Sequence, residues 1–194
     1  MADKIFGWFA DQNRASLEKL IAEHGVKSVL EIGSFLGLSA VWFAERVKAV
    51  TCIDTFEEKA TEPNDNNLVH TLASERIPNP FRHVFERNIN EAGVAPKITI
   101  VQSPSVQAWQ FVEDFDLVYI DGDHSYAGIT SDIVLYRGKA KKIICGDDYT
   151  ERFPGVLRAT AELFPNHQSN GPFWWNVMEK EKGNSDLNRK PLQP

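Results

Sequence analysis

Apolar positions along the chain recur with two periods, and the periods alternate. Over 12–24, Leu17, Leu20 and Ile21 share one helical face, and Gly25 stands where a left-handed cap closes a helix. Val29, Leu30 and Ile32 then predict a short buried strand at 29–32. Helical spacing returns over 37–47, with Ala40, Phe43, Ala44 and Val47 on one side. Further strands are predicted at 50–53, 98–101, 117–120 and 142–145, with helical patterns at 81–91, 105–113 and 125–137. Mostly apolar strands separated by helices predict a parallel sheet covered on both faces.

The last third of the chain breaks this alternation. A helix at 154–164 is followed by a polar strand at 167–169, the turn signal Asn170-Gly171-Pro172 and a strand at 173–178. Two strands so close in sequence cannot be joined by a crossover, so they pair antiparallel. The expected fold is α/β: a doubly wound, mostly parallel seven-stranded sheet with an antiparallel hairpin at one edge. Trp174 and Trp175, on the last strand, are read as core. A single domain covers 1–180, and 181–194 is a polar tail. The connection at 57–80, rich in Glu, Asp, Asn and Pro, is either disordered or a lid, and its place after a candidate ligand-binding acid favours the lid.

Charge narrows the function classes. A net charge of -6 argues against a nucleic-acid partner, which needs a basic face. No apolar run reaches the roughly 20 residues a membrane helix requires, and the first eleven residues lack a secretory apolar core. A cytoplasmic small-molecule enzyme with no membrane partner is expected. Cys52 and Cys145 sit inside strand-like runs and are read as buried reduced thiols.

Four constellations carry candidate chemistry. In Glu31-Ile-Gly-Ser-Phe-Leu-Gly37, Gly33 lets the chain leave the strand sharply and Gly37 allows close packing where a helix begins. The spacing is not that of a pyrophosphate-binding turn. An acid before the first glycine suits a ligand with a cationic amino group; the plain alternative is a strand–turn–helix with two convenient glycines. Asp54 ends the next strand, where a carboxylate can accept both ribose hydroxyls of an adenosine ligand or simply cap the adjoining segment. Asp121-Gly-Asp-His-Ser-Tyr126 and Gly146-Asp-Asp-Tyr149 follow the fourth and fifth strands, so all four lie along one sheet edge, where open α/β sheets bind ligands. Asp121, Asp147 and Asp148 suit a hard cation such as Mg²⁺. Singly each acid could be a cap or a turn residue, but jointly they would repel one another without a cation. His124, three residues past Asp121, is the candidate general base, with a loop-orienting role as the alternative.

With these motifs, residues 13 to 178 resemble class I S-adenosylmethionine-dependent methyltransferases, whose sheet is Rossmann-like. The run Leu30-Glu-Ile-Gly-Ser-Phe-Leu-Gly-Leu-Ser-Ala-Val41 looks like the cofactor motif of the catechol O-methyltransferase-like group. The Asp121–Tyr126 run, with Asp147-Asp148-Tyr149, resembles metal-dependent O-methyltransferases of macrolide sugars. The resemblance implies S-adenosyl-L-methionine at the turn, held by Glu31, Gly33, Ser34, Phe35, Gly37 and Ser39. Asp54, Thr55, Ser103 and Asp121 complete that site. It further implies Mg²⁺ on Asp121, Asp147 and Asp148, and methylation of a small-molecule hydroxyl with His124 and Asp121 as catalytic residues. One departure is Gly138-Lys-Ala-Lys-Lys142, where the family usually has a glycine pair. A metal-independent methyltransferase and a non-catalytic cofactor-binding module are the competing readings. The acceptor is not legible, and a homo-oligomer is compatible with the sequence.

Overall fold

The computed structural model describes residues 5–57 and 79–178. The expected lid lies almost wholly, and the polar tail entirely, outside the described residues. Among the described residues six α-helices, α1 (Asp11–His24), α2 (Leu38–Arg46), α3 (Pro80–Glu91), α4 (Ser105–Ala108), α5 (Tyr126–Tyr136) and α6 (Pro154–Leu163), surround seven strands. The strands are β1 (Ser28–Ile32), β2 (Ala49–Asp54), β3 (Ile98–Gln102), β4 (Phe115–Ile120), β5 (Ala140–Gly146), β6 (Gln168–Asn170) and β7 (Phe173–Val177). Their order is β3-β2-β1-β4-β5-β7-β6. The first five are parallel, and β7 and β6 add antiparallel to β5. This is the expected sheet.

Local signals account for most boundaries. Gly25 closes α1 at φ 56°, and the Val26 N–H turns back to the Ile21 carbonyl at 3.0 Å. Pro80 and Pro154 open α3 and α6 at positions whose N–H would be unpaired anyway. The helix predicted at 105–113 stops at Ala108. Residues 109–111 form a turn instead, which leaves Phe111 83% exposed while Trp109 and Val112 still pack on the core.

Side chains alternate between the two faces of the sheet, and each face has its own core. Val29, Cys52, Leu117, Tyr119 and Cys145 pack under α1, α2 and α3. Leu30, Ile53, Val118, Ile144 and Trp174 pack under α4, α5 and α6. Trp174 is fully buried and Trp175 packs against the opposite core, so the late tryptophans are structural. Among the described residues no helix is long and apolar enough to cross a membrane.

The register has one decisive consequence. Glu31 pairs with Cys52 on one side and Tyr119 on the other, and Tyr119 pairs with Cys145. The ladder continues one step past Ile32: Gly33 N–H reaches the Ile53 carbonyl, Asp121 N–H that of Ile32, and Asp147 N–H that of Ile120. Two residues further along the same face, Asp54, Gly33, Asp121 and Asp147 therefore form a second row at the carboxyl edge. Gly33, at φ 86°, leaves the gap in that row. A Cβ there would lie 2.1 Å from the Asp121 carbonyl oxygen. Gly33→Ala is expected to cost more than about 4 kcal/mol, in the range of the most disruptive substitutions. Gly138→Ala, with nothing within 4 Å of the added carbon, should be near neutral. Urea unfolding of both variants checks this.

Candidate active site

The turn after β1 is held from below and from the side. Asp54 Oδ2 accepts the backbone N–H groups of Ser34 and Phe35, each at 2.8 Å, and Oδ1 accepts that of Phe56 at 2.7 Å. A carboxylate offers about four acceptor positions, so one remains for a ligand. Phe35 and Phe56 both have positive φ, 45° and 52°, which bulky residues rarely adopt. The Ser103 N–H bonds the Asp54 carbonyl at 3.1 Å, and the Gln102 amide bonds that of Thr55 at 3.1 Å. The ends of β1, β2 and β3, with Ser34, Phe35, Asp54, Thr55 and Ser103, are thereby brought together.

Glu31 lies beneath this turn, fully buried. Ser34 Oγ donates to its Oε2 at 2.6 Å, the Cys52 thiol lies 3.4 Å from the same oxygen, and Oε1 has no protein partner. Burial raises its pKa to about 7, although the Ser34, Ser39 and Cys52 side chains favour the charged form. Gly37, at φ 91°, brings the start of α2 against Phe85: an added Cβ would lie 3.0 Å from that ring.

A second group forms at the ends of β4 and β5. Ligand atoms of Asp121, His124 and Asp148 all lie within 4.8 Å of one another. His124 Nε2 is 2.8 Å from Asp148 Oδ2 and 3.8 Å from Asp121 Oδ1. The approach is out of line with the ring N–H, so these are charge contacts and no aligned hydrogen bond forms. Burial raises the Asp121 carboxyl to about 7, and the Asp147 and Asp148 charges add to this. Burial by itself would lower the His124 pKa, but Asp121 and Asp148 carry it up to about 10. Here His124 is the cation between two carboxylates, a position that reading the sequence for a base did not anticipate. Asp148 adopts φ 61°.

The sequence groups Asp147 with Asp121 and Asp148, whereas the close group in the structure is Asp121, His124 and Asp148. The Asp147 Oδ1 accepts the Asp148 N–H at 2.7 Å. The fully buried Asn13 of α1 lowers its pKa against the upward pull of burial, yet neither Asn13 amide atom completes a hydrogen bond of ordinary geometry. Asn13 was missed in the sequence. The signal was there: it continues the buried Leu17–Leu20 stripe of α1 at helical spacing, as a polar residue.

Two features flank the site. Trp8 stacks on Phe35 with ring centroids 5.7 Å apart. On the other side a cavity of about 490 Å³ is lined by His124, Ser125, Tyr126, Arg152 and Phe153, with the His124 and Phe153 rings 4.5 Å apart.

A profile of the family described as "Methyltransferase domain" matches residues 30–149, and the chain belongs to that family. No curated protein sequence matches it significantly. Its fold is that of known O-methyltransferase structures. A candidate caffeoyl-CoA O-methyltransferase from Staphylococcus aureus superposes with a TM-score of 0.65 at 14% identity, covering 91% of this chain and 87% of that one. An O-methyltransferase from Bacillus cereus in complex with SAH gives 0.61 at 17% identity over 92% and 86%. TomG from Streptomyces achromogenes, an O-methyltransferase of tomaymycin synthesis in complex with SAM, gives 0.59 at 14% over 87% and 79%.

The buried Glu31 yields a pH prediction. Its folded pKa is about 7, against 4.5 for the free side chain. Between those values the folded state binds the proton more tightly, so its contribution to stability is full below about pH 4.5 and is lost as pH rises toward 7. The loss is on the order of 3 kcal/mol. Glu31→Gln removes this slope, so the stability difference between variant and parent should move in the variant's favour from pH 5 to pH 8. Urea unfolding across that range measures it.

Proposed function

We propose that this enzyme methylates a hydroxyl of a small molecule with S-adenosylmethionine as donor and Mg²⁺ as a required cation. The supporting observation is the closeness of two different sites on one edge: the Glu31–Gly37 turn with Asp54, and the Asp121–His124–Asp148 group directly beside it. The cytoplasm and a small-molecule acceptor belong to the same reading.

The residues fit the implied groups. Glu31 keeps one buried oxygen unpaired under the turn, suited to an ammonium group, and Asp54 keeps acceptor capacity for one ribose hydroxyl. S-adenosylmethionine supplies a methyl group on a positively charged sulfur. Asp121 and Asp148 offer hard carboxylate oxygens, and Asp147 adjoins them at the same strand ends, a donor set that suits Mg²⁺ and leaves the His124 imidazole free for proton transfer. Mg²⁺ supplies Lewis acidity, which lowers the pKa of a hydroxyl.

The chain's own part is positional. Ser34 and Phe35, fixed on Asp54, orient the donor, and the acceptor enters from the His124 side. Methyl transfer needs three atoms in line, so fixing both partners removes much of the barrier. His124 is assigned to take the acceptor proton. Asp121 and Asp148 hold the imidazole in its charged form, and Mg²⁺ on those acids would leave His124 neutral and able to accept a proton. The His124–Asp148 contact at 2.8 Å also favours a second reading, a metal-independent enzyme in which the imidazolium neutralises the acids permanently.

Transfer of labelled methyl from S-adenosylmethionine to a panel of small hydroxyl acceptors separates the two. The proposal expects activity to vanish in EDTA, to return with Mg²⁺, and to fall about 100-fold or more in His124→Ala, the usual worth of a general base. Full activity in EDTA, with Asp148→Asn equally active, would establish the metal-independent reading.

A further inference from the structure

Asp132 is the one acid in the buried stripe of α5, between Ile129, Ile133 and Tyr136, and is 3% exposed. An apolar residue would be cheaper there. Burial lifts its carboxyl to about 6. What it touches is specific. Ser105 Oγ donates to Asp132 Oδ1 at 2.6 Å, and the Tyr136 hydroxyl, one helical turn further, donates to the Ser105 carbonyl at 2.7 Å. The helix thus grips Ser105 at its hydroxyl and its carbonyl together. Two residues earlier, Ser103 is bonded to the Asp54 carbonyl. The short loop between β3 and α4 is therefore pinned to β2 at one end and to α5 at the other. The second carboxylate oxygen of Asp132 faces the loop after β4: a Cβ on Gly122 would lie 3.6 Å from it, at ordinary contact distance.

We propose that Asp132 is a positioning residue for the nucleoside half of the cofactor, setting the gap between the β3 and β4 loops by holding Ser105 against α5 beneath Gly122. The inference rests on the S-adenosylmethionine reading. With the ribose on Asp54 at the end of β2, the attached base lies next along the edge, toward the end of β3, where the loop begins at Ser103. Neither Asp132 nor Ser105 need touch the ligand. Together they fix the walls between which a flat base enters, and preorganised walls lower the ordering cost of binding.

Calorimetric titration of the full chain with S-adenosylhomocysteine and with adenosine tests this, alongside melting of the free protein. Asp132→Ala should weaken both ligands about tenfold, the worth of one charge-assisted hydrogen bond. Asp132→Asn, whose carbonyl oxygen still accepts from Ser105, should bind within about twofold of the parent. Ser105→Ala removes only the hydroxyl and is the variant least able to disturb folding; it should show the same tenfold loss for both ligands. A role confined to folding would lower the melting temperature and leave the affinities of the folded variants unchanged. Parental affinity in Ser105→Ala would overturn the proposal while leaving the cofactor reading intact. Absence of S-adenosylhomocysteine binding by the unaltered protein would overturn both.

Discussion

The edge of this sheet depends on how closely two backbones approach. The Asp121 carbonyl sits where a side chain on residue 33 would have to go, so the turn after β1 and the loop after β4 are in contact only because residue 33 is glycine. Parallel register does the rest. Strands β2, β1, β4 and β5 end level, and a period of two brings Cys52, Glu31, Tyr119 and Cys145 into one buried row, with Asp54, Gly33, Asp121 and Asp147 above it. Four acids are thereby concentrated on one face of four adjacent strands. The same register brings Glu31, Asp54 and the Asp121–His124–Asp148 group to one edge of the sheet.

Such a concentration is costly, and the cost is visible. Glu31 and Asp121 both have pKa values pushed to about 7, burial being the largest cause in each. Glu31 keeps an unpaired oxygen and Tyr119 an unpaired hydroxyl among the buried atoms. Positive φ at Phe35, Phe56 and Asp148 adds backbone strain on three loops of the same edge. These penalties do not serve folding. Under the proposed function, an ammonium group beside Glu31 and a divalent cation beside Asp121 would offset the two carboxyl penalties.

The order of elements was legible because the apolar periods were long and the breakers, Gly25, Pro80 and Pro154, stood at true helix ends. The apolar pattern at 105–113 continues past Ala108, and Trp109 and Val112 do reach the core, but they reach it from a turn, which apolar spacing alone does not distinguish from a helix. Within the site, positions followed from strand ends, so Glu31, Asp54, Asp121 and Asp148 could be placed on one edge in advance. Side-chain direction could not. Asp147 and Asp148 are adjacent, and only the left-handed backbone at Asp148 decides which of them faces His124. Asn13 and Asp132 escaped notice for a related reason: each is a polar residue in an apolar stripe, and its meaning depends on partners far along the chain.

The central claim is that donor and cation lie side by side, with the adenosine end of the donor pointing away from the cation toward β3. Proton relaxation of bound S-adenosylhomocysteine, with Mn²⁺ standing in for Mg²⁺, reads this directly. The account predicts strong broadening of the methylene protons next to sulfur and much weaker broadening of the adenine protons. Uniform broadening, or none at a Mn²⁺ concentration that occupies the protein, would contradict it.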